Sequence, residues 1–397
     1  MEKEILKIRD GEPVSDEIVN HFNLRPFCSL NDEGIFISKF VGLVISKSKI
    51  LVSYPKHLDV RGEEDISLIL GSIVKTTKSF GTMWNENIEC NIPYGAYLFV
   101  LDYYYKFGIF HEIYNIKKEG YSGKVDWTAT FRKNHSVVSE DNIVFLPFEI
   151  KRSMLKDSFI GKCMKYVISD GFMQFGKYIG VGEVLENSNL EYSPEDTISL
   201  LKEEKNNHFK DLDIQLIDSL IDYLEWRGMF IENNFFLTKS FDRVWESMVN
   251  EYLSKNYRDY DESKDTIVFA DGCKKHHFSK KTDYIQSALM TSQNGVSYSV
   301  EYDHFDRNAD TILVFDSKYY VEVNDVNYKQ MVYHYMLMNS KANQDVKRII
   351  NGLLIPNEGE YYSKVHVDRR DIDGVFIIEH YLNMRRIMEN YVKTRSL

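Results

Sequence analysis

Cysteine is scarce in this chain of 397 residues. Its four copies, Cys28, Cys90, Cys163 and Cys273, are far apart and form no CxxC pair. That excludes a zinc ribbon and a disulfide framework, and it fits a reducing cytoplasm. No run approaches the roughly 18 consecutive apolar residues that a membrane span needs. Met1-Glu2-Lys3-Glu4 opens no apolar stretch ahead of a small-residue cleavage site, so neither a secretory signal nor a membrane partner is expected. Positive charge is in deficit, with 49 Lys and Arg against 60 Asp and Glu, a net of −11. Residues 241–397 hold 21 basic and 24 acidic residues, a net of −3, which leaves −8 on the first 240. A protein that grips DNA unaided usually shows a basic balance or stripe. If DNA is the substrate, a partner is expected to bring it. The phosphate-cradling pattern G-x-x-x-x-G-K-[ST] is missing, so the chain is not expected to hydrolyse a nucleotide, and no G-x-S-x-G elbow occurs. Neither an internal repeat nor a low-complexity tract is present.

What is present is an ordinary globular composition, 43% hydrophobic and 27% charged, with 24 Phe and 27 Tyr to build cores. The length suggests two to three domains. Residues 1–151 read as a mostly β-rich domain. Residues 34–45 and 50–54 are rich in β-branched and aromatic side chains and are joined by Ser46-Lys47-Ser48-Lys49, a hairpin signal that Pro55 terminates. A helix is expected over 63–77, and 93–114 fits either a buried helix or two strands. Residues 152–240 read as a helical connector. Ser193-Pro194-Glu195-Asp196 is a helix start, and Ile214, Leu216, Ile217, Leu220, Ile221 and Leu224 recur at helical spacing. From 241 to 397 the pattern becomes mixed α/β. It comprises a helix over 241–253, strands over 283–289 and 311–320, a helix over 326–338, strands over 349–354 and 374–378, and a last helix over 381–392.

The chemistry concentrates in Ile312-Leu313-Val314-Phe315-Asp316-Ser317-Lys318. In a strand, residues two apart share a face, so Asp316 and Lys318 enter one site at the end of a buried run. A carboxylate is a hard oxygen ligand for Mg²⁺, and the ammonium can orient or deprotonate an attacking water. A second carboxylate must complete the metal site. Asp283 leads the preceding expected strand, which as a neighbour would bring it beside Asp316; Asp303, 13 residues before Asp316, is its substitute. Glu246 or Glu251 on the opening helix is a further candidate ligand. Gln330 and Tyr333 lie on one face of the following helix. His276 and His277 have only Cys273 as a nearby thiol and make a poor zinc site; the lysines around them (Lys274, Lys275, Lys280, Lys281) suit a phosphate-facing loop.

The order of helix, Asp-led strand, Asp-x-Lys strand and helix with Lys329-Gln330 and Tyr333 resembles the PD-(D/E)xK nuclease core. More specifically, the chain resembles the LlaJI-type restriction endonucleases, relatives of the McrC subunit. The resemblance rests on Phe40-Val41-Gly42-Leu43-Val44 with Tyr54-Pro55-Lys56, Val125-Asp126-Trp127-Thr128-Ala129-Thr130, Ser240-Phe241-Asp242-Arg243-Val244-Trp245-Glu246 and Phe315-Asp316-Ser317-Lys318-Tyr319-Tyr320. One departure is that Thr282, not Pro, precedes Asp283. The resemblance implies an α+β multidomain chain ending in a restriction-endonuclease-like domain. It also implies a bacterial, cytoplasmic, Mg²⁺-dependent DNA endonuclease with Mn²⁺ as a substitute metal. Asp283, Asp316, Lys318 and Gln330 would form the site. The implied partners are double-stranded DNA, an AAA+ GTPase of the McrB type bound through residues 1–151, and a second nuclease domain in the working complex. The alternatives are a non-catalytic subunit that caps and stimulates the GTPase ring, or a stand-alone repair exonuclease.

Overall fold

The computed structural model describes residues 4–62, 64–79, 88–133, 136–139, 142–145, 147–229, 232–285 and 298–393. The chain forms two compact units, one from Met1–Ile92 with Ile231–Leu397 and the other from Pro93–Phe230. Its class is mixed α+β.

The first unit begins with β1 (Glu4–Arg9), β2 (Val41–Ile45) and β3 (Lys49–Tyr54). The expected hairpin forms, with Val44 opposite Leu51, and β1 adds to β3 in parallel. Helix α1 (Glu64–Ser79) follows, with Glu64 and Asp65 in its first turn and Ile66, Ile69, Leu70 and Ile73 buried. Strand β4 (Ile88–Cys90) ends this part of the unit.

The second unit resolves the ambiguous stretch as helix α2 (Tyr94–Phe107) followed by strand β5 (His111–Gly120). β5 pairs with β6 (Phe148–Asp157) in a long antiparallel ribbon. Helices α3 (Phe159–Gly171), α4 (Pro194–Lys205) and α5 (Asp211–Gly228) complete it. Ser193 caps α4 as its spacing predicts, accepting the Asp196 N–H at 3.1 Å. Tyr97 of α2 is fully buried, its ring in the space that side chains at Gly171, Gly176 and Gly182 would fill.

The chain then returns to the first unit. Strand β7 (Asn234–Thr238) pairs with β2 on one side and β4 on the other, giving a five-stranded sheet ordered β1-β3-β2-β7-β4. Gly42 permits the contact: at φ +144, a Cβ there would lie 2.4 Å from the Phe236 carbonyl oxygen. This pairing moves the expected boundaries. Residue 151 falls inside β6, and β7 belongs with the N-terminal strands rather than with a helical connector ending at 240.

Next come α6 (Phe241–Asn256), β8 (Ser279–Ile285), β9 (Tyr298–Asn308), β10 (Thr311–Ser317), α7 (Tyr328–Met338), β11 (Arg348–Asn357), β12 (Tyr362–Arg369), β13 (Val375–Asn383) and α8 (Met384–Lys393). The strands make one mixed sheet ordered β8-β9-β10-β11-β13-β12. β10 is parallel to β11, and β11 to β13, while β8, β9 and β12 pair antiparallel. β10 and β11 are buried along nearly their whole length, as the near-continuous apolar runs of central parallel strands require. On one face, Ile312 and Val314 pack with Tyr333 and Leu337 of α7. On the other, Phe315 meets Tyr257 and Phe278, and α6 is tied down by Trp245, whose indole N–H donates to the Leu354 carbonyl at 3.2 Å. β9 and β12 were not expected from the sequence, and residues 286–289 of the expected Asp-led strand lie outside the described residues. Among the described residues no helix is long and apolar enough to cross a membrane.

Candidate active site

Asp316 is the penultimate residue of β10 and is fully buried. Its Oδ2 is ion-paired with Lys318, which the strand alternation puts on the same face, and Lys329 of α7 stands 3.1 Å from Oδ1. Burial pushes the Asp316 carboxyl up, but the two ammoniums outweigh it and hold the group below its usual range.

The carboxylate facing Asp316 is Asp303. β9 lies antiparallel to β10 with His304 opposite Phe315, and Asp303 accepts the Ser317 N–H through Oδ2 at 3.1 Å. Burial, then the charge of Asp316, then a hydrogen bond between the two carboxyls and the charge of Glu246, raise the Asp303 carboxyl to about 7. The alignment depends on a β-bulge. Ser279 pairs with Phe305 but Lys281 pairs with Tyr302, so Asp303 and His304 together face Lys280 alone. The extra residue shifts the alternation by one. Tyr302 and Phe305 both pack on the α7 face, and Asp303 turns towards Asp316.

Asp283 is elsewhere. It pairs opposite Val300 on β8, with β9 between it and β10, so two strand spacings, roughly 10 Å, separate it laterally from Asp316. Its partner is Lys281, at 3.2 Å. The expected adjacency of Asp283 and Asp316 is therefore corrected: the strand following the Asp-led one inserts itself between them, and the substitute, Asp303, occupies the neighbouring position.

The other expected residues divide. Gln330 is fully buried, and neither atom of its side-chain amide has a partner among the described residues. Tyr333 donates to the Glu301 carbonyl at 2.5 Å and so anchors β9 two residues before Asp303. Glu246 comes near the pair, its charge reaching Asp303, and bonds Lys280 at 2.5 Å. Lys280 also reaches Glu301 at 3.2 Å, so this lysine is occupied by carboxylates. Glu251 is drawn away, to Lys75 of α1 at 2.8 Å and to Lys255. His276 bonds Asp306 at 2.6 Å.

Three further residues contribute to which the sequence reading gave no role in the site. Lys329 is the second cation on Asp316. His304 is fully buried between Asn250 of α6, 3.0 Å from Nδ1, and the Ser317 hydroxyl, 2.7 Å from Nε2. Asn250 donates its amide to the Phe278 carbonyl, so its oxygen must accept from Nδ1–H; Nε2 then accepts from Ser317. Burial keeps this imidazole neutral, its pKa lowered to about 3. The third contributor is Lys56 of the Tyr54-Pro55-Lys56 turn. Its backbone N–H donates to the Tyr319 hydroxyl at 2.7 Å, and His57 contacts the Tyr320 carbonyl at 3.0 Å. Two motifs far apart in sequence thus meet just beyond Lys318. No alternation or spacing signal pointed to these contacts.

Among the described residues no group of three or more His, Cys, Asp or Glu side chains is placed to share one cation. Two facing carboxylates remain a fitting half-site for Mg²⁺, a hard ion that keeps several waters and binds through one or two carboxylates plus substrate oxygens.

The profile of the family described as LlaJI restriction endonuclease matches residues 40–380. No curated protein matches the chain. Solved structures similar to it include the refined half-complex from a tetradecameric assembly of Thermococcus gammatolerans McrB AAA+ hexamers with bound McrC. That match has 12% identity, 98% of this chain and 99% of that chain covered, and a TM-score of 0.39. Another is the cryo-EM structure of the McrBC complex of the same organism, at 12% identity, 64% and 89% coverage and a TM-score of 0.27. With the family profile running from the N-terminal sheet through the Asp316–Lys318 strand to β13, the chain belongs to the LlaJI restriction endonuclease family.

Proposed function

We propose that this chain is the DNA-cleaving subunit of a multicomponent restriction system, a nuclease of the PD-(D/E)xK type that hydrolyses phosphodiester bonds of double-stranded DNA with Mg²⁺. The observation that carries this reading is Asp303 facing Asp316 across two antiparallel strands, with Lys318 on the same buried carboxylate. A cation held there would act as a Lewis acid on the phosphoryl oxygens. Asp303 and Asp316 supply its protein oxygens. Lys318, held by Asp316, donates to the attacking water and orients it towards phosphorus. Gln330 offers its unpartnered amide to the same face of the sheet. Water adds to phosphorus, one P–O ester bond breaks, and the leaving alkoxide takes up a proton. A partner GTPase of the McrB type and pairing of two nuclease domains follow from the family resemblance; the acidic balance of the chain agrees with DNA recognition being delegated.

Mg²⁺-dependent cleavage of duplex DNA by the assembled enzyme tests the site. Asp316→Ala and Asp303→Ala should abolish cutting, Lys318→Ala should abolish it while leaving cation binding intact, and Asp283→Ala should cut like wild type. Activity in Asp303→Ala with none in Asp283→Ala would move the site one strand outward. Full activity in Asp316→Ala would end the nuclease reading.

A further inference from the structure

Asp316 is shared by two ammoniums, with Asp303 beside it as the second carboxylate. Lys318 occupies Oδ2 and Lys329 stands 3.1 Å from Oδ1, so both oxygens already have a cation. A divalent ion that takes an Asp316 oxygen must displace the ammonium already on it. The two lysines are not equally free to move. Lys318 follows directly from the end of β10, with its backbone N–H still bonded to the Leu354 carbonyl at 2.9 Å, and its side chain is 15% exposed. Lys329 lies in the first turn of α7, its side chain is 49% exposed, and its ammonium rests 5.2 Å from the centre of the Tyr333 ring. No acidic residue shares that first turn. The adjoining Gln330 is fully buried, and among the described residues neither of its amide atoms has a partner.

The geometry points to a partner exchange: Lys329 leaves Asp316 when a divalent cation arrives and transfers its ammonium to a non-bridging oxygen of the scissile phosphate. The inference rests on the nuclease reading above and adds a phosphate-contacting residue to that site. The free site thereby stores, as the counter-ion of Asp316, the charge that its substrate will need.

The full chain, Lys329→Met and Lys329→Arg test this through binding alone. Calorimetric titration with Mg²⁺ in the absence of DNA should show Lys329→Met binding the cation severalfold more tightly than wild type, since a competitor is gone. In Ca²⁺, Lys329→Met should bind duplex DNA about tenfold more weakly, the order expected for one charged hydrogen bond. Its slope of log affinity against log salt should be shallower by about 0.9, one phosphate contact. Lys329→Arg should restore both. DNA affinity and slope unchanged in Lys329→Met would reduce Lys329 to a counter-ion and overturn the exchange, as would weakened Mg²⁺ binding. If Asp316→Asn binds Mg²⁺ as wild type does, the metal-site reading falls too. Normal wild-type cation binding with an indifferent Lys329→Met removes only the exchange.

Discussion

Asp316 and Lys318 were legible in the sequence because their positions depend on one strand. A run of apolar residues ending in Asp-x-Lys can only put both side chains on one face at the strand's end. Asp303 was harder, because its place depends on a bulge. Val300 and Tyr302 set one phase, Asp303 and Phe305 another, and a reader following strict alternation sees a poor strand. His304 and Lys329 carried no site signal of their own: alternation along β9 and helical spacing along α7 do not show that one meets Asn250 and Ser317 and the other Asp316. His380 of β13 carries a separate consequence at this scale. It is fully buried with Nδ1 3.0 Å from the Tyr361 hydroxyl, and burial lowers its pKa from 6.5 to about 3. The unfolded chain therefore binds a proton below pH 6.5 that the folded chain refuses. This residue costs nothing above pH 6.5 and removes about 1.4 kcal/mol of stability per pH unit as pH falls from there towards 3. Urea denaturation of wild type and His380→Gln across pH 7 to 4 should give slopes of stability against pH that differ by one proton; parallel curves would contradict it.

Elements with their own periodicity were read correctly. The β2–β3 hairpin, α1, α6 and α7 each carry a repeating apolar face or a turn signal that needs no knowledge of neighbours. β7, β9 and β12 do not: they are defined by what they pair with, and β9 and β12 are interrupted by bulges. The domain boundaries failed for the same reason, since composition changes where helices begin but cannot reveal that Leu237 lies against Gly42. That contact is exacting. Gly42→Ala would drive a methyl into the Phe236 carbonyl and the Leu237 Cα, 2.4 and 2.6 Å away, both backbone atoms unable to swing aside. A loss on the order of 2–3 kcal/mol is expected by chemical denaturation; a loss below a few tenths would mean that the two strands separate at little cost.

On the scale of the whole chain, the second unit is an insertion within the first. Its two ends are held together by the β4–β7 pairing and by the Asn91 side chain, which donates to the Asn233 carbonyl at 2.9 Å and accepts the Phe235 N–H at 2.7 Å. Replacing residues 93–230 by a short Gly/Ser linker should therefore leave the first unit folded, with one cooperative transition and Mg²⁺ binding that Asp316→Asn abolishes. Loss of the cooperative transition would show that the first unit depends on its insertion. By contrast, a chain of residues 1–240 keeps α1 but strips its partners, among them Glu251, the Tyr391 carbonyl, and Arg385, which reaches the buried Asp65 at 2.7 Å.

The clasp at Asn91 also decides how the molecule answers to force. The insertion leaves just beyond Cys90 and returns just before Phe236, and these two residues face each other on β4 and β7. Any tug on the inserted unit thus enters two antiparallel neighbours at the same end. Strands loaded in that way open like a zipper, one rung after another, whereas strands pulled from opposite ends must shear all their rungs together. Among the described residues β4 pairs with β7 through Ile88, Glu89 and Cys90 and stands at the sheet's edge, so it peels first. The Asp316 strand, at the centre of the other sheet, has no strand in common with it. Mechanical work done on the insertion is spent on the paired rungs of this edge strand before it can reach Asp303 and Asp316.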